Sequence, residues 1–194
     1  MKKGLLGVVV CGGQSSRMGR DKGLLVYHGK PQRYHVYELL AAHCDRTFIS
    51  ISEQLLPTVA EGYEVLVDDA RFSEMGPLTG LLSVHARYPH ADLLVSGCDY
   101  PLVGHPEITM LTQAAAEGKS VAFRNAKGYL EPYISLLQSH DLQRLRNHHL
   151  SFNNSLKAFL EEASVVVLTH PDPVRLSSVD TPEDYERIKK MFGK

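Results

Sequence analysis

The chain has 194 residues, 43% of them hydrophobic and 22% charged, with a formal net charge of −1. That length and balance suit a single soluble domain, 1–194, able to bury about 70% of its unfolded surface. Near-neutrality removes any bulk electrostatic case for nucleic acid or an anionic membrane, so cationic function has to be local.

Read in order, the first apolar run, Leu5–Val10, is a buried strand. It is too short for a signal segment, and no stretch approaches the roughly 18 apolar residues of a membrane span. The strand runs directly into Cys11-Gly12-Gly13-Gln14-Ser15-Ser16-Arg17-Met18-Gly19-Arg20-Asp21-Lys22. Glycines there let backbone N–H groups approach an anion closely, and Arg17 and Lys22 can neutralise phosphate charge from the side. The loop matches neither the Walker A pattern nor the dinucleotide fingerprint. An ordinary strand-to-helix turn needs glycine but has no use for paired cations beside small donors. The segment therefore reads as a phosphate site.

Pro31 opens a predicted helix to about Cys44, and Thr47–Ser52 and Glu64–Val67 are predicted strands. From Gly76, the positions Leu78, Leu81, Leu82 and His85 follow helical spacing. Asp92–Gly97 is a buried strand, and Pro106 opens a helix carrying Met110, Leu111, Ala114 and Ala115. Strands at Ser120–Phe123 and Pro132–Leu137, helices at Asp141–Arg146 and Asn154–Glu162, and a strand at Ser164–Leu168 complete the alternation. Thr181 caps a last helix, with Pro182 at its first position and Glu183 and Asp184 in its first turn. This pattern predicts a three-layer α/β/α sandwich, Rossmann-like, with a mostly parallel sheet.

Ligands of such sheets bind beyond the carboxyl ends of the strands. Asp99 follows a strand too apolar to be exposed, where an unpaired carboxylate is costly, so it reads as a metal or ligand contact. Asp69 is as readily a turn residue as a ligand contact, and Asp180 as readily a helix-start residue as a metal ligand. Hard carboxylates near a phosphate loop suit Mg²⁺. The three cysteines, Cys11, Cys44 and Cys98, form no C-x-x-C and indicate neither a zinc site nor a disulfide framework. They fit a reducing cytoplasm, and Cys11 and Cys98 read as small packing residues. The ten histidines are scattered, and the adjacent His148 and His149 read as surface residues.

Cys11-Gly12-Gly13-x-Ser15-x-Arg17-Met18-Gly19-x-Asp21-Lys22 resembles the loop signature of the molybdenum cofactor guanylyltransferase family of nucleotidyltransferases. The resemblance continues through Gly29-Lys30-Pro31, Asp69, Gly76-Pro77-Leu78-x-Gly80, Cys98-Asp99-x-Pro101, Glu131-Pro132 and Thr181-Pro182-Glu183-Asp184. It implies the nucleotide-diphospho-sugar transferase type of fold. It also implies transfer of GMP from GTP to the phosphate of molybdopterin, with release of diphosphate. Val10, Cys11, Gly12 and Gly13 would line the base and ribose end of the nucleotide. Ser15, Arg17 and Lys22 would hold phosphates, Asp69 would contact the nucleoside, and Gly76 and Pro77 would shape the pocket. Lys22, Arg17 and Asp99 would be catalytic, with Mg²⁺ on Asp99; the charge of Asp180, not the resemblance, adds it as a second metal ligand.

The chain departs from the family pattern at four of these positions. Val10 stands where Leu is usual, Cys11 where Ala is common, Ser50 where Asn follows the second strand, and Asp180 where Asn precedes the last helix. Cytidylyl transfer, a sugar-phosphate acceptor, and a silent nucleotide-binding or adaptor protein are the alternatives. The expected partners are the two substrates and, transiently, proteins that deliver or accept the cofactor, with no nucleic acid and no membrane. Tyr129, Tyr133 and Arg124 are left without a role.

Overall fold

The computed structural model describes residues 4–11, 21–76 and 78–192. Among the described residues, seven strands form one sheet: β1 (Leu5–Val10), β2 (Arg46–Ile51), β3 (Val65–Val67), β4 (Asp92–Gly97), β5 (Val121–Arg124), β6 (Leu130–Leu137) and β7 (Val166–Thr169). Their spatial order is β3-β2-β1-β4-β6-β5-β7. The first four run parallel, β6 is antiparallel to both β4 and β5, and β7 lies parallel to β5.

Unbroken apolar runs such as Leu6–Val10 arise because both faces of the central strands are covered. Val8, Val10, Phe48, Leu93 and Val95 face one layer of helices, α2 (Leu78–Arg87), α4 (Ser139–His148) and α5 (Leu156–Glu162), which contribute Leu81, Leu82, Leu145 and Phe159. Val9, Ile49, Ile51, Leu94 and Ile134 face the other, α1 (Gln32–Ala41) and α3 (His105–Ala114), through Val36, Leu40, Ile108 and Leu111. Each such side chain contributes about 1.5–3 kcal/mol by leaving water. The expected three-layer sandwich is the fold observed.

The last helix, α6 (Pro182–Phe192), stands apart from those two layers. Its Ile188 packs with Leu25, Tyr27, Leu102 and Val179, and Tyr27 meets the rings of Tyr185 and Phe192. Thr181 caps it as expected: its Oγ1 accepts from the Asp184 N–H, and the Asp184 carboxylate accepts from the Thr181 N–H, each at 3.2 Å. The C-terminal helix is thereby fastened beside the segment that follows the glycine loop.

Most element ends differ from the sequence expectation by one to three residues, and two of the differences have a plain local cause. Pro31 precedes α1 rather than opening it, because its ψ of 136° is extended and it bridges to Val26. Strand β6 begins at Leu130, before Pro132. Pro132 is tolerated there because the β5–β6 register shifts between Ala122 and Phe123, so no regular ladder bond is lost to it.

Candidate nucleotide site

The parallel strands β1 to β4 end along one edge of the sheet, and the residues just past their ends build the site. Val10 closes β1, pairing with Ser50 on β2 and Gly97 on β4. Cys11 and Cys98 follow, with their Sγ atoms 3.2 Å apart. Gly12, Gly13, Ser15 and Arg17 of the loop, and Pro77, lie outside the described residues.

The chain re-enters at Asp21, whose carboxylate accepts from the Gly23 N–H at 2.8 Å and caps a single 3-10 turn, Lys22–Leu24. Arg33, only 1% exposed, lies 3.9 Å from the same carboxylate. Arg33 also donates to the Thr58 hydroxyl at 3.1 Å, to the Tyr34 hydroxyl and to the Thr58 carbonyl. A buried guanidinium so engaged holds the start of this turn rigid.

Lys22 extends from that turn to Asp180, donating from Nζ to Oδ1 at 2.6 Å. Asp180 is fixed on its other oxygen by the Ser178 hydroxyl at 2.8 Å. Partial burial pushes the Asp180 carboxyl up, but the bonds from Lys22 and Ser178 outweigh it and hold the group below the ordinary range. Val179 in turn donates its N–H to the Asp99 carbonyl at 2.7 Å, which binds the Asp180 segment to the end of β4.

Asp99 keeps some access to solvent but is crowded by protein. That desolvation raises its pKa to about 6, against the attraction of Lys22; the charges of Asp180 and Glu131 push it further up. Its Oδ1 folds back over Gly97, where an added Cβ would sit only 2.3 Å from it. A residue larger than glycine at 97 would drive the carboxylate out of place.

On the far side of Asp99, Tyr100 donates to Glu131 Oε2 and Asn125 to Glu131 Oε1, each at 2.6 Å. Tyr133 packs against Gly97, and burial, then the charge of Asp99, raises its hydroxyl above the usual tyrosine range. The role of Glu131 went unread in the sequence beyond its place in a motif. The signal was an acidic residue at the entry of a buried strand.

On the near side, Ser50 lies within β2 rather than past its end, because β2 runs on to Ile51. Its hydroxyl donates to Asp68 at 2.8 Å. A Cβ on Gly80 would come within 2.0 Å of that hydroxyl, so α2 can approach this corner only with glycine there. Burial raises the Asp68 carboxyl, offset in part by Ser50. Its neighbour Asp69 is the more engaged of the two carboxylates. It accepts from the Arg71 N–H at 2.9 Å and from the Arg71 guanidinium at 2.6–3.0 Å, which lowers its pKa to about 2. Gly76 has φ of +55°, which favours glycine.

Lys22, Asp99 and Asp180 therefore come together past the end of β4. Ser50, Asp68 and Gly80 form a second corner beside β3, with Asp69 and Gly76 next to it. The charge of Asp180 reaches Asp99, and two carboxylates so placed suit a hard divalent cation. Among the described residues no cluster of three or more metal-ligating side chains gathers. Two carboxylates with substrate phosphates are the usual holding for Mg²⁺.

A mostly parallel α/β sheet whose carboxyl edge sets a lysine and two carboxylates beside the strand that precedes a glycine-rich sequence is of the nucleotide-binding class. Residues 7–175 match the family described as the MobA-like NTP transferase domain, and the chain belongs to that family. A molybdenum cofactor guanylyltransferase of Pseudomonas putida is 33% identical over 178 residues, covering 91% of this chain and 93% of that protein. A molybdenum cofactor biosynthesis bifunctional protein of Synechocystis is 29% identical over 188 residues, and the chain spans about half (53%) of its length. The crystal structure of molybdopterin-guanine dinucleotide biosynthesis protein A from Archaeoglobus fulgidus superposes with a TM-score of 0.77. That match has 17% identity and covers 97% of this chain and 98% of that one. Among the described residues no helix is long and apolar enough to cross a membrane.

Proposed function

We propose that this chain transfers GMP from GTP to the terminal phosphate of molybdopterin, forming the guanine dinucleotide and releasing diphosphate. The observation that carries the reading is the junction of Lys22, Asp180 and Asp99 at the end of β4, next to the strand that leads into the glycine loop. The molybdenum cofactor guanylyltransferase of Pseudomonas putida, similar along nearly its whole length, supports the choice of substrates.

In this reading a phosphate oxygen of the acceptor attacks the α-phosphorus of GTP in line. The bond from that phosphorus to the bridging oxygen breaks, and its electron pair leaves with diphosphate. The acceptor phosphate is ionised near neutral pH and needs no strong base, so the chain's task is positioning and charge stabilisation. Lys22 presents its ammonium to the phosphates, and Asp180 holds that ammonium at the right point until nucleotide arrives. Arg17 and the loop amides hold the departing diphosphate. Asp99, ionised above about pH 6, and Asp180 would hold Mg²⁺. When bound, the metal supplies Lewis-acid neutralisation of phosphate charge. Ser50, Asp69, Gly76 and Pro77, with Val10, Cys11, Gly12 and Gly13, flank the nucleoside end, and Ser15 the phosphates.

Diphosphate release measured with each of the four nucleoside triphosphates, Mg²⁺ and molybdopterin tests the proposal. Release with GTP alone is the expected result. Release with CTP instead moves the chain to cytidylyl transfer, and release with none overturns the reading.

A further inference from the structure

Strands β1 and β4 are parallel neighbours that end in register: Val10 pairs with Gly97, and the Cys98 N–H donates to the Val10 carbonyl at 3.3 Å. The next residue on each strand is a cysteine. Cys11 Sγ and Cys98 Sγ lie 3.2 Å apart, within hydrogen-bonding reach. The two are unequal in access, since Cys11 is partly exposed and Cys98 is buried. Cys44, the third cysteine, precedes β2 and so sits toward the opposite edge of the sheet.

We propose that Cys11 and Cys98 are a reversible redox pair, and that closing their disulfide switches off nucleotide binding. The second half rests on the guanylyl-transfer reading above; the first does not. Adjacent strands run about 4.8 Å apart, inside the Cα separation that a disulfide spans. The sulfurs, however, must close to about 2.05 Å, roughly 1 Å nearer than they stand. Both residues lie just past the ends of β1 and β4, so closing the bond displaces the backbone there, and a bond closed against that displacement is readily reduced again. The strain falls on the first residue of the glycine loop and on the residue before Asp99.

The chemistry needs a peroxide or a small-molecule disulfide as oxidant. With hydrogen peroxide, the accessible Cys11 thiolate attacks one peroxide oxygen, the O–O bond breaks, and hydroxide leaves, giving the sulfenic acid. The Cys98 sulfur then attacks the Cys11 sulfur, the S–O bond breaks, and water leaves. Two thiols lose two electrons to one peroxide, and two waters result. Cys98 is placed for the second step by geometry, since its sulfur already stands 3.2 Å from that of Cys11.

The test uses the full chain, reduced with dithiothreitol or treated with hydrogen peroxide or, separately, with glutathione disulfide. Peptide mapping without reductant should show Cys11 joined to Cys98, with Cys44 free. Affinity for a fluorescent GTP analogue should fall by about tenfold or more on oxidation and return with dithiothreitol. Cys11→Ser and Cys98→Ser, each compared with its own reduced form, should show no oxidation-dependent fall. The proposal is overturned by the absence of that linkage, by a linkage through Cys44 or between chains, or by linked protein that binds nucleotide as before. A reduced chain that binds no nucleotide overturns the functional reading and the switch together, while the peptide map still decides the pairing.

Discussion

Lys22 and Asp180, 158 residues apart in sequence, meet at 2.6 Å. The pair is partly exposed, at 22% and 49% of the two side chains, so its direct worth to stability is about 0–1 kcal/mol. Its value is positional. Lys22→Ala should lower kcat/KM for diphosphate release by on the order of 10²–10³ while changing the melting temperature little. Steady-state kinetics beside thermal unfolding checks this, and near-normal turnover would remove Lys22 from the machinery.

Asp180→Asn separates two roles of the same side chain. Without the charge, the amide still reaches Lys22 and Ser178, but the group is a poorer partner for a cation. The Mg²⁺ concentration for half-maximal rate should rise by about tenfold. A Mg²⁺ titration unchanged from the parent would mean that Asp180 serves Lys22 alone.

Asp99 is held at a cost. Its pKa is about 6 in the fold, against 3.8 for an ordinary carboxyl. A raised folded value means that the protonated form is the one the fold favours. The contribution to stability is therefore present below about pH 4 and lost as pH rises toward 6. Asp99→Asn should gain on the order of 2 kcal/mol at pH 7 to 8, or several degrees in melting temperature, with no gain near pH 4. The same variant should lose activity. For the parent, the rate should fall on the acid side through about pH 6 as Asp99 takes up its proton. Thermal melts of both proteins across pH, with a pH–rate profile, decide it.

Gly80→Ala tests the second corner. In an open helix this change adds about 1 kcal/mol of stability. Here the new methyl would stand 2.0 Å from the Ser50 hydroxyl, so destabilisation by about 1–3 kcal/mol is expected. Adding Ser50→Ala removes the closest atom and should restore part of the loss, although the Ser50 Cβ itself remains at 3.0 Å. Denaturant unfolding of the single and double variants measures the coupling.

The fold was legible wherever burial on both faces left an unbroken apolar run. Leu5–Val10 and Asp92–Gly97 have the same bounds in sequence and structure. The reversal of β6 was not legible, since strand direction is decided by what lies beside it and not by its own pattern. Asp99 stood out because a carboxylate after an apolar strand needs a partner. That partner, Lys22 with Asp180 behind it, depends on a meeting across almost the whole chain. The pairing of Ser50 with Asp68 was equally hidden: both are ordinary polar residues until the register of β2 and β3 sets them on one face.

The docking of α6 has a consequence for how the chain matures. Every strand of the sheet is complete by Thr169, so a chain still being synthesised can lay down its core without the last helix. Asp180 arrives only afterwards, carried in by the seating of Ile188 and Tyr185 against Leu25 and Tyr27. Until then Asp99 has no neighbouring carboxylate from that segment, and the ammonium of Lys22 has no anchor there. On the guanylyl-transfer reading, competence for nucleotide is thus acquired late, once the segment that carries Asp180 has docked. A nascent or truncated chain would be compact before it could capture substrate.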